Sequence, residues 1–123
     1  TAGLAAGGNP NRDETEEYDG EGWASGGTLP TSWSHASSGG VQTSAILAGG
    51  YNPSTTNNAA QYDGTAWAAI GNMATTISDV AGSSNTPTNS SFVAFGGARS
   101  GVPVATNTEE FTQPVWTASI STS

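Results

Sequence analysis

Apolar residues in this chain fall in short blocks, and the blocks recur. Ala45-Ile46-Leu47-Ala48 and Phe92-Val93-Ala94-Phe95 are apolar at successive positions, and each runs straight into a Gly-Gly pair. An amphipathic helix would space its apolar residues three and four apart, and a strand with one wet face would alternate them. A short continuous run bounded by glycines predicts instead a strand covered on both faces. Polar, turn-rich stretches separate the blocks, so the pattern predicts many short strands and no helix.

The blocks belong to a repeat. Thr1-Ala-Gly-Leu-Ala-Ala-Gly7-Gly8, Thr43-Ser-Ala-Ile-Leu-Ala-Gly49-Gly50 and Ser90-Ser-Phe-Val-Ala-Phe-Gly96-Gly97 align without gaps, with starts 42 and 47 residues apart. Each is followed by a loop and then by a second anchor: Tyr18 with Trp23, Tyr62 with Trp67, and Phe111 with Trp116. The aromatic-to-Trp spacing is five every time, whereas the distance from Gly-Gly to the aromatic grows from 10 to 12 to 14. Constant anchors around a variable loop are what a fixed scaffold with tolerant surface connections produces. A further match follows the Trp, with Leu29 to Ala36 aligning on Met73 to Val80, which places Trp33 on Ile77 and His35 on Asp79. The chain is thus one segment, 1–123, of three units at about 1–42, 43–89 and 90–123.

Each unit predicts four strands. The first covers roughly Ser32–Ser37 and Thr76–Ala81, the second ends in Gly-Gly, the third ends at Tyr18, Tyr62 or Phe111, and the fourth begins near the Trp. Asp19-Gly20 and Asp63-Gly64 sit between the third and fourth strands, where Asp-Gly predicts a type I′ hairpin turn. Thr112-Gln113-Pro114 breaks that pattern and predicts a different turn. Large aromatics five apart have the bulk to fill a wedge between neighbouring sheets. Units of this length lie near those of propeller blades, which run ~40–50 residues.

Composition narrows the function. Apolar residues make up 34% and charged residues 10% of the chain, and there is no Cys. Disulfides, thiolate nucleophiles and cysteine metal sites are therefore excluded. Lys is absent, and Arg12 and Arg99 stand against ten carboxylates for a net charge of −8. Nucleic-acid partners are disfavoured, because phosphate contacts need Lys and Arg. Anionic membranes are disfavoured for the same reason, and no apolar run is long enough for membrane insertion as a helix.

The order of apolar strand, Gly-Gly, Tyr-Asp, spacer and Trp resembles the kelch motif. Gly7, Gly8, Tyr18, Trp23, Gly49, Gly50, Tyr62, Trp67, Gly96, Gly97 and Trp116 carry the likeness, and Phe111 takes the Tyr place in the third copy. Thr15-Glu-Glu-Tyr-Asp-Gly20 and Ala60-Gln-Tyr-Asp-Gly-Thr-Ala-Trp67 are closer still to kelch-like repeats of virion structural proteins from marine (cyano)phages. The usual Arg of the first kelch strand has no clear equivalent. The resemblance implies an all-β fold of about three four-stranded antiparallel β-propeller blades. It also implies a non-enzymatic virion structural or host-attachment protein, such as a tail fibre or surface decoration, located in the virion or outside the cell. Its implied partners are other virion proteins, copies of itself, or a host surface glycan or protein, with no cofactor. A carbohydrate-binding or adhesin-like extracellular propeller is the alternative. Galactose-oxidase-like kelch enzymes need a copper site with a Tyr–Cys crosslink, which a chain without Cys does not offer.

The chain opens at the second strand of its first unit and closes after the fourth strand of its third. About eleven strands are expected, short of the ~4–8 blades of a propeller. This phase predicts a larger or oligomeric ring.

Candidate chemistry is sparse. His35 is the single imidazole, and no Ser-His-Asp arrangement can be placed by spacing. Asp13, Glu14, Glu16, Glu17, Asp19 and Glu21 form an acidic run. Asp13, Glu14 and Glu16 are weak Ca²⁺ candidates by their hard oxygens, although the spacing is not an EF-hand and a solvated acidic edge is the default. Tyr51, Asn52 and Arg99 lie in the loops 51–58 and 98–107 and are candidates for contacting a sugar or protein. Asn89-Ser90-Ser91 matches a glycosylation sequon.

Overall fold

The computed structural model describes residues 1–83, 90–98 and 105–120. Among these residues there are eleven β-strands and no helix, arranged in three separate antiparallel sheets. Sheet one is β1 (Gly3–Ala6), β2 (Thr15–Tyr18) and β3 (Trp23–Ser25). Sheet two is β4 (Ser37–Val41), β5 (Ser44–Ala48), β6 (Ala59–Tyr62) and β7 (Trp67–Ile70). Sheet three is β8 (Ala81–Gly82), β9 (Ser91–Phe95), β10 (Asn107–Thr112) and β11 (Val115–Ile120). Each sheet is a meander in chain order, and sheets two and three each take their first strand, β4 or β8, from the end of the preceding unit.

Sheet two is packed between the other two, which explains its apolar run. Successive side chains of a strand point to opposite faces. Ala45 and Leu47 on β5 join Trp33, Tyr62 and Trp67 in one core, against Leu4 and Ala6 of sheet one. Ile46 and Ala48 join a second core with Ile77, Phe92, Ala94 and Phe111, toward sheet three. The end sheets have one covered face each. The Phe92–Phe95 run, expected to be covered on both faces, is covered on one: Phe92 and Ala94 are buried, while Phe95 is 46% exposed because no sheet among the described residues packs on that side. On sheet one Ala5 is exposed between partly covered Leu4 and Ala6.

The constant spacing of five is a cross-strand pair. Tyr18 faces Trp23, Tyr62 faces Trp67 and Phe111 faces Trp116 in register. Their ring centroids lie 5.1, 5.0 and 5.2 Å apart with tilts of 37°, 33° and 43°. The Gly-Gly pair is the joint between units. Gly8 N–H donates to the Trp33 carbonyl at 2.7 Å, and Gly50 N–H donates to the Ile77 carbonyl at 2.6 Å. A Cβ on Gly7 or Gly49 would stand 2.5 or 2.7 Å from those same carbonyl oxygens, and both residues hold φ of +68°. Only glycine meets both demands at low cost.

Two further local expectations are corrected. Ser32–Ser37 and Thr76–Ala81 are not strands: Trp33 makes an isolated bridge to Arg12, and the first strands of sheets two and three, β4 and β8, start at Ser37 and Ala81. His35 and Asp79 each take φ of +54°, which interrupts extended backbone. Nor do Asp19-Gly20 and Asp63-Gly64 form two-residue type I′ turns. Among the described non-glycine residues only His35 and Asp79 have positive φ, and a type I′ turn needs it at both central positions. Instead, the Asp19 carboxylate accepts the Glu21 and Gly22 N–H groups at 2.8 and 2.9 Å. Asp63 does the same for Thr65 and Ala66 at 2.8 Å each. A side-chain cap over a four-residue loop replaces the tight turn. In the third unit the ladder runs to Thr112 opposite Val115, so Gln113-Pro114 makes the tight connection.

The first strands of sheets two and three converge. A Cβ on Gly39 of β4 would lie 2.4 Å from the Ser83 carbonyl oxygen and 2.7 Å from the Phe92 ring. One on Gly82 of β8 would lie 2.5 Å from the same ring. Glycine at these positions lets β4 of sheet two and β8 of sheet three approach closely.

Candidate functional site

A slot runs between sheets one and two along the edge of β1 that β2 does not occupy. Its deeper part, about 180 Å³, is walled by Leu4, Ala6, Trp33, Ala45 and Leu47, with Ser34 and His35 at one end. A wider part of about 400 Å³ continues past Gly3, Ser38, Gly39 and Val41. β5 and β9, the equivalents of β1, pair along this edge with β4 and β8. Gln42 spans the slot's end, its Nε2 donating to the Gly3 and Tyr18 carbonyls at 3.1 and 3.0 Å. Apolar walls beside an open strand edge suit an extended peptide segment, with backbone hydrogen bonds for affinity.

One end of the slot carries a polar rim. His35 Nδ1 and Asp79 Oδ1 are 2.8 Å apart, and Ser78 Oγ donates to Asp79 Oδ2 at 3.0 Å. The His35 hydrogen bond first, and that from Ser78 second, hold the Asp79 carboxyl below its ordinary value. The carboxylate sits between serine and imidazole, so the serine hydroxyl meets the carboxylate and not the imidazole, which is not the order of a nucleophilic triad. Equivalent positions of neighbouring units meet here because the sheets stack in register. Tyr51 is exposed and bridges Ser34 through its backbone on the same rim. Asn52 Nδ2 donates to Thr31 Oγ1, which pins it to the preceding loop. Arg99 and Asn89 lie outside the described residues.

The acidic run is dispersed. Glu14 pairs with Arg12 at 3.4 Å on the surface, beside a shallow recess that Glu16 also lines. Asp13 takes part through its carbonyl, which accepts the Leu29 N–H at 2.8 Å. Among the described residues no three His, Asp or Glu side chains converge as a metal site.

The polar groups that spacing did not flag are joints between sheets. Tyr62 O–H donates to Glu17 Oε1 at 2.5 Å, and Trp67 Nε1–H donates to Thr15 Oγ1 at 2.9 Å. Burial first, and then the Glu17 carboxylate, push the Tyr62 hydroxyl above its ordinary value, so it stays a neutral donor. At the second joint the repeat equivalents differ: Ala59 and Gln61 replace Thr15 and Glu17, and Phe111 replaces Tyr62. Trp116 Nε1 is accordingly buried without a hydrogen-bond partner. Glu109 ties this joint differently. It is 1% exposed, and its two oxygens accept the Ala74 and Thr75 N–H groups at 2.7 and 2.8 Å. The alignment of Glu109 with Ala60 could have flagged it, since a carboxylate there falls on a buried face.

No protein-family model matches this chain, and no curated protein matches it.

Proposed function

We propose that the three sheets are blades of a kelch-like β-propeller that serves as a non-enzymatic binding scaffold, a virion structural or host-attachment component of a phage. The repeated joint supports the propeller reading most directly. Gly8 and Gly50 donate to the segments that lead into sheets two and three, β4 and β8 meet at glycines, and aromatic side chains pack between neighbouring sheets. Close approach at one strand and aromatic filling beyond it are what the packing of neighbouring propeller blades requires, and this supports the reading. The virion reading rests on the sequence likeness of Thr15–Gly20 and Ala60–Trp67 to phage repeats. Mass spectrometry of purified phage particles should detect the chain among the structural proteins, and its absence from particles would remove the virion reading.

A second reading, a carbohydrate-binding propeller, is favoured by Tyr51, whose exposed ring stands beside the Ser34–His35 rim. Aromatic faces beside polar groups suit sugar rings. Glycan-array binding lost in Tyr51→Ala would support it.

A further inference from the structure

We infer that the two end sheets bind each other head to tail between two copies of this chain, closing a six-sheet ring. This inference rests on the propeller reading and names its partner as a second copy.

The repeat equivalence assigns roles to residues on the open faces. At the first joint, one side offers acceptors, Thr15 and Glu17, and the other offers donors, Trp67 and Tyr62. The open face of sheet three carries Thr108 and Glu110 at the positions of Thr15 and Glu17. It therefore repeats the acceptors of the first joint and not the Ala59 and Gln61 of the second. The open face of sheet one carries Tyr18 and Trp23 at the positions of Tyr62 and Trp67. Their rings are stacked in the same way, 5.1 Å and 37° against 5.0 Å and 33°. Trp67 is 9% exposed inside its joint, whereas Trp23 is 56% exposed.

The apolar shapes also match. The first joint sets Leu4 and Ala6 against Ala45 and Leu47, and the second sets Ile46 and Ala48 against Phe92 and Ala94. The open faces would set the larger Val93 and Phe95 against the small Gly3 and Ala5. Large residues facing small ones is how layers interdigitate. Phe95 and Val115 are both exposed on sheet three. A contact whose two sides differ is heterologous and must close or propagate. Two copies with three sheets each close at six, within the usual ~4–8 blades.

The test is the mass of the whole chain in solution by light scattering at about 100 µM, followed by complementation. The wild type should have twice 12.3 kDa. Trp23→Glu breaks the head and Phe95→Glu breaks the tail. Each variant alone should be monomeric with dispersed NMR signals, and their mixture should form a one-to-one dimer through the surviving head and tail. Thr108→Ala, which removes only the acceptor for Trp23, should weaken dimerisation about five-fold, the worth of one hydrogen bond. A monomeric wild type overturns the inference, as does a dimer that survives Trp23→Glu. Open assemblies larger than two copies overturn the ring closure. A chain missing from phage particles would remove the virion reading and leave this association standing, whereas a monomer would do the reverse.

Discussion

Glu109→Gln should destabilise the fold by about 2 kcal/mol, although it changes the side chain by one heavy atom. The carboxylate accepts two backbone N–H groups, one at each oxygen. A glutamine can accept only one of them. Its NH₂ then faces the second N–H, donor against donor. Hydrogen bonds to a charged group contribute ~1.5–3 kcal/mol, and an orphaned buried donor costs ~1–3 kcal/mol. Ala74 lies on the surface and Thr75 is half-buried, so the released N–H can partly turn to water, which places the loss toward the lower end. Glu109→Ala loses both bonds and leaves a cavity beside Phe111, for a loss of about 3–4 kcal/mol. Removing a buried charge can relieve desolvation, but only when its partners are removed too, and here the partners are backbone. For a domain of this size about 4 °C of melting temperature accompanies each kcal/mol. Thermal unfolding followed by tryptophan emission should therefore fall by roughly 8 °C for the glutamine variant and more for alanine. A glutamine variant melting within about 2 °C of wild type would refute the reading of Glu109 as a two-point clamp on the loop between sheets two and three.

Ala59→Ser should restore the acceptor that Thr15 supplies at the first joint, satisfy Trp116 Nε1 and raise stability by about 0.5–1 kcal/mol; urea unfolding with an unchanged or lowered midpoint contradicts this. Gly39→Ala should lose about 1–3 kcal/mol, because its Cβ meets the Ser83 carbonyl and the Phe92 ring. Gly22→Ala, with nothing within 4 Å of its Cβ, is the neutral control, and equal melting of the two would dismiss the close approach of β4 to sheet three. Acid should unfold the protein in a window that starts near the ordinary Asp value of 3.8 and runs below it. Asp19, Asp63 and Asp79 all titrate below that value, so their contribution is present above it and lost as pH falls through the folded values. Asp63→Asn keeps an oxygen for the turn N–H groups but cannot titrate, so its melting temperature should fall less steeply from pH 5 to pH 2.

Much of the architecture is legible in the sequence. The run Ala45–Ala48 announced a strand covered on both faces, and β5 serves two cores. The spacing of five announced a structural pair, and three ring stacks of the same geometry occupy it. What misled was local chemistry read without its surroundings. Asp19-Gly20 matched a tight-turn preference, yet the carboxylate found two N–H groups of a longer loop. Ser32–Ser37 had the look of a strand, yet His35 turns into the left-handed region and the strand begins after it. The slot beside β1 left almost no trace in the sequence, because its walls come from Leu4, Trp33, Ala45 and Leu47, which are far apart in the chain.

The sequence by itself determined the number of units, their strand order and which residues anchor them, since these follow from periodicity and from the short reach of a strand and its turn. Only the tertiary structure decided which polar groups meet. Thr15 with Trp67, Glu17 with Tyr62, His35 with Asp79 and Glu109 with the Ala74–Thr75 backbone all join one sheet to the next. Such pairs are separated by tens of residues and obey no local period. They are set by how the sheets stack, and a strand pattern constrains the face a side chain takes but not the neighbour waiting there.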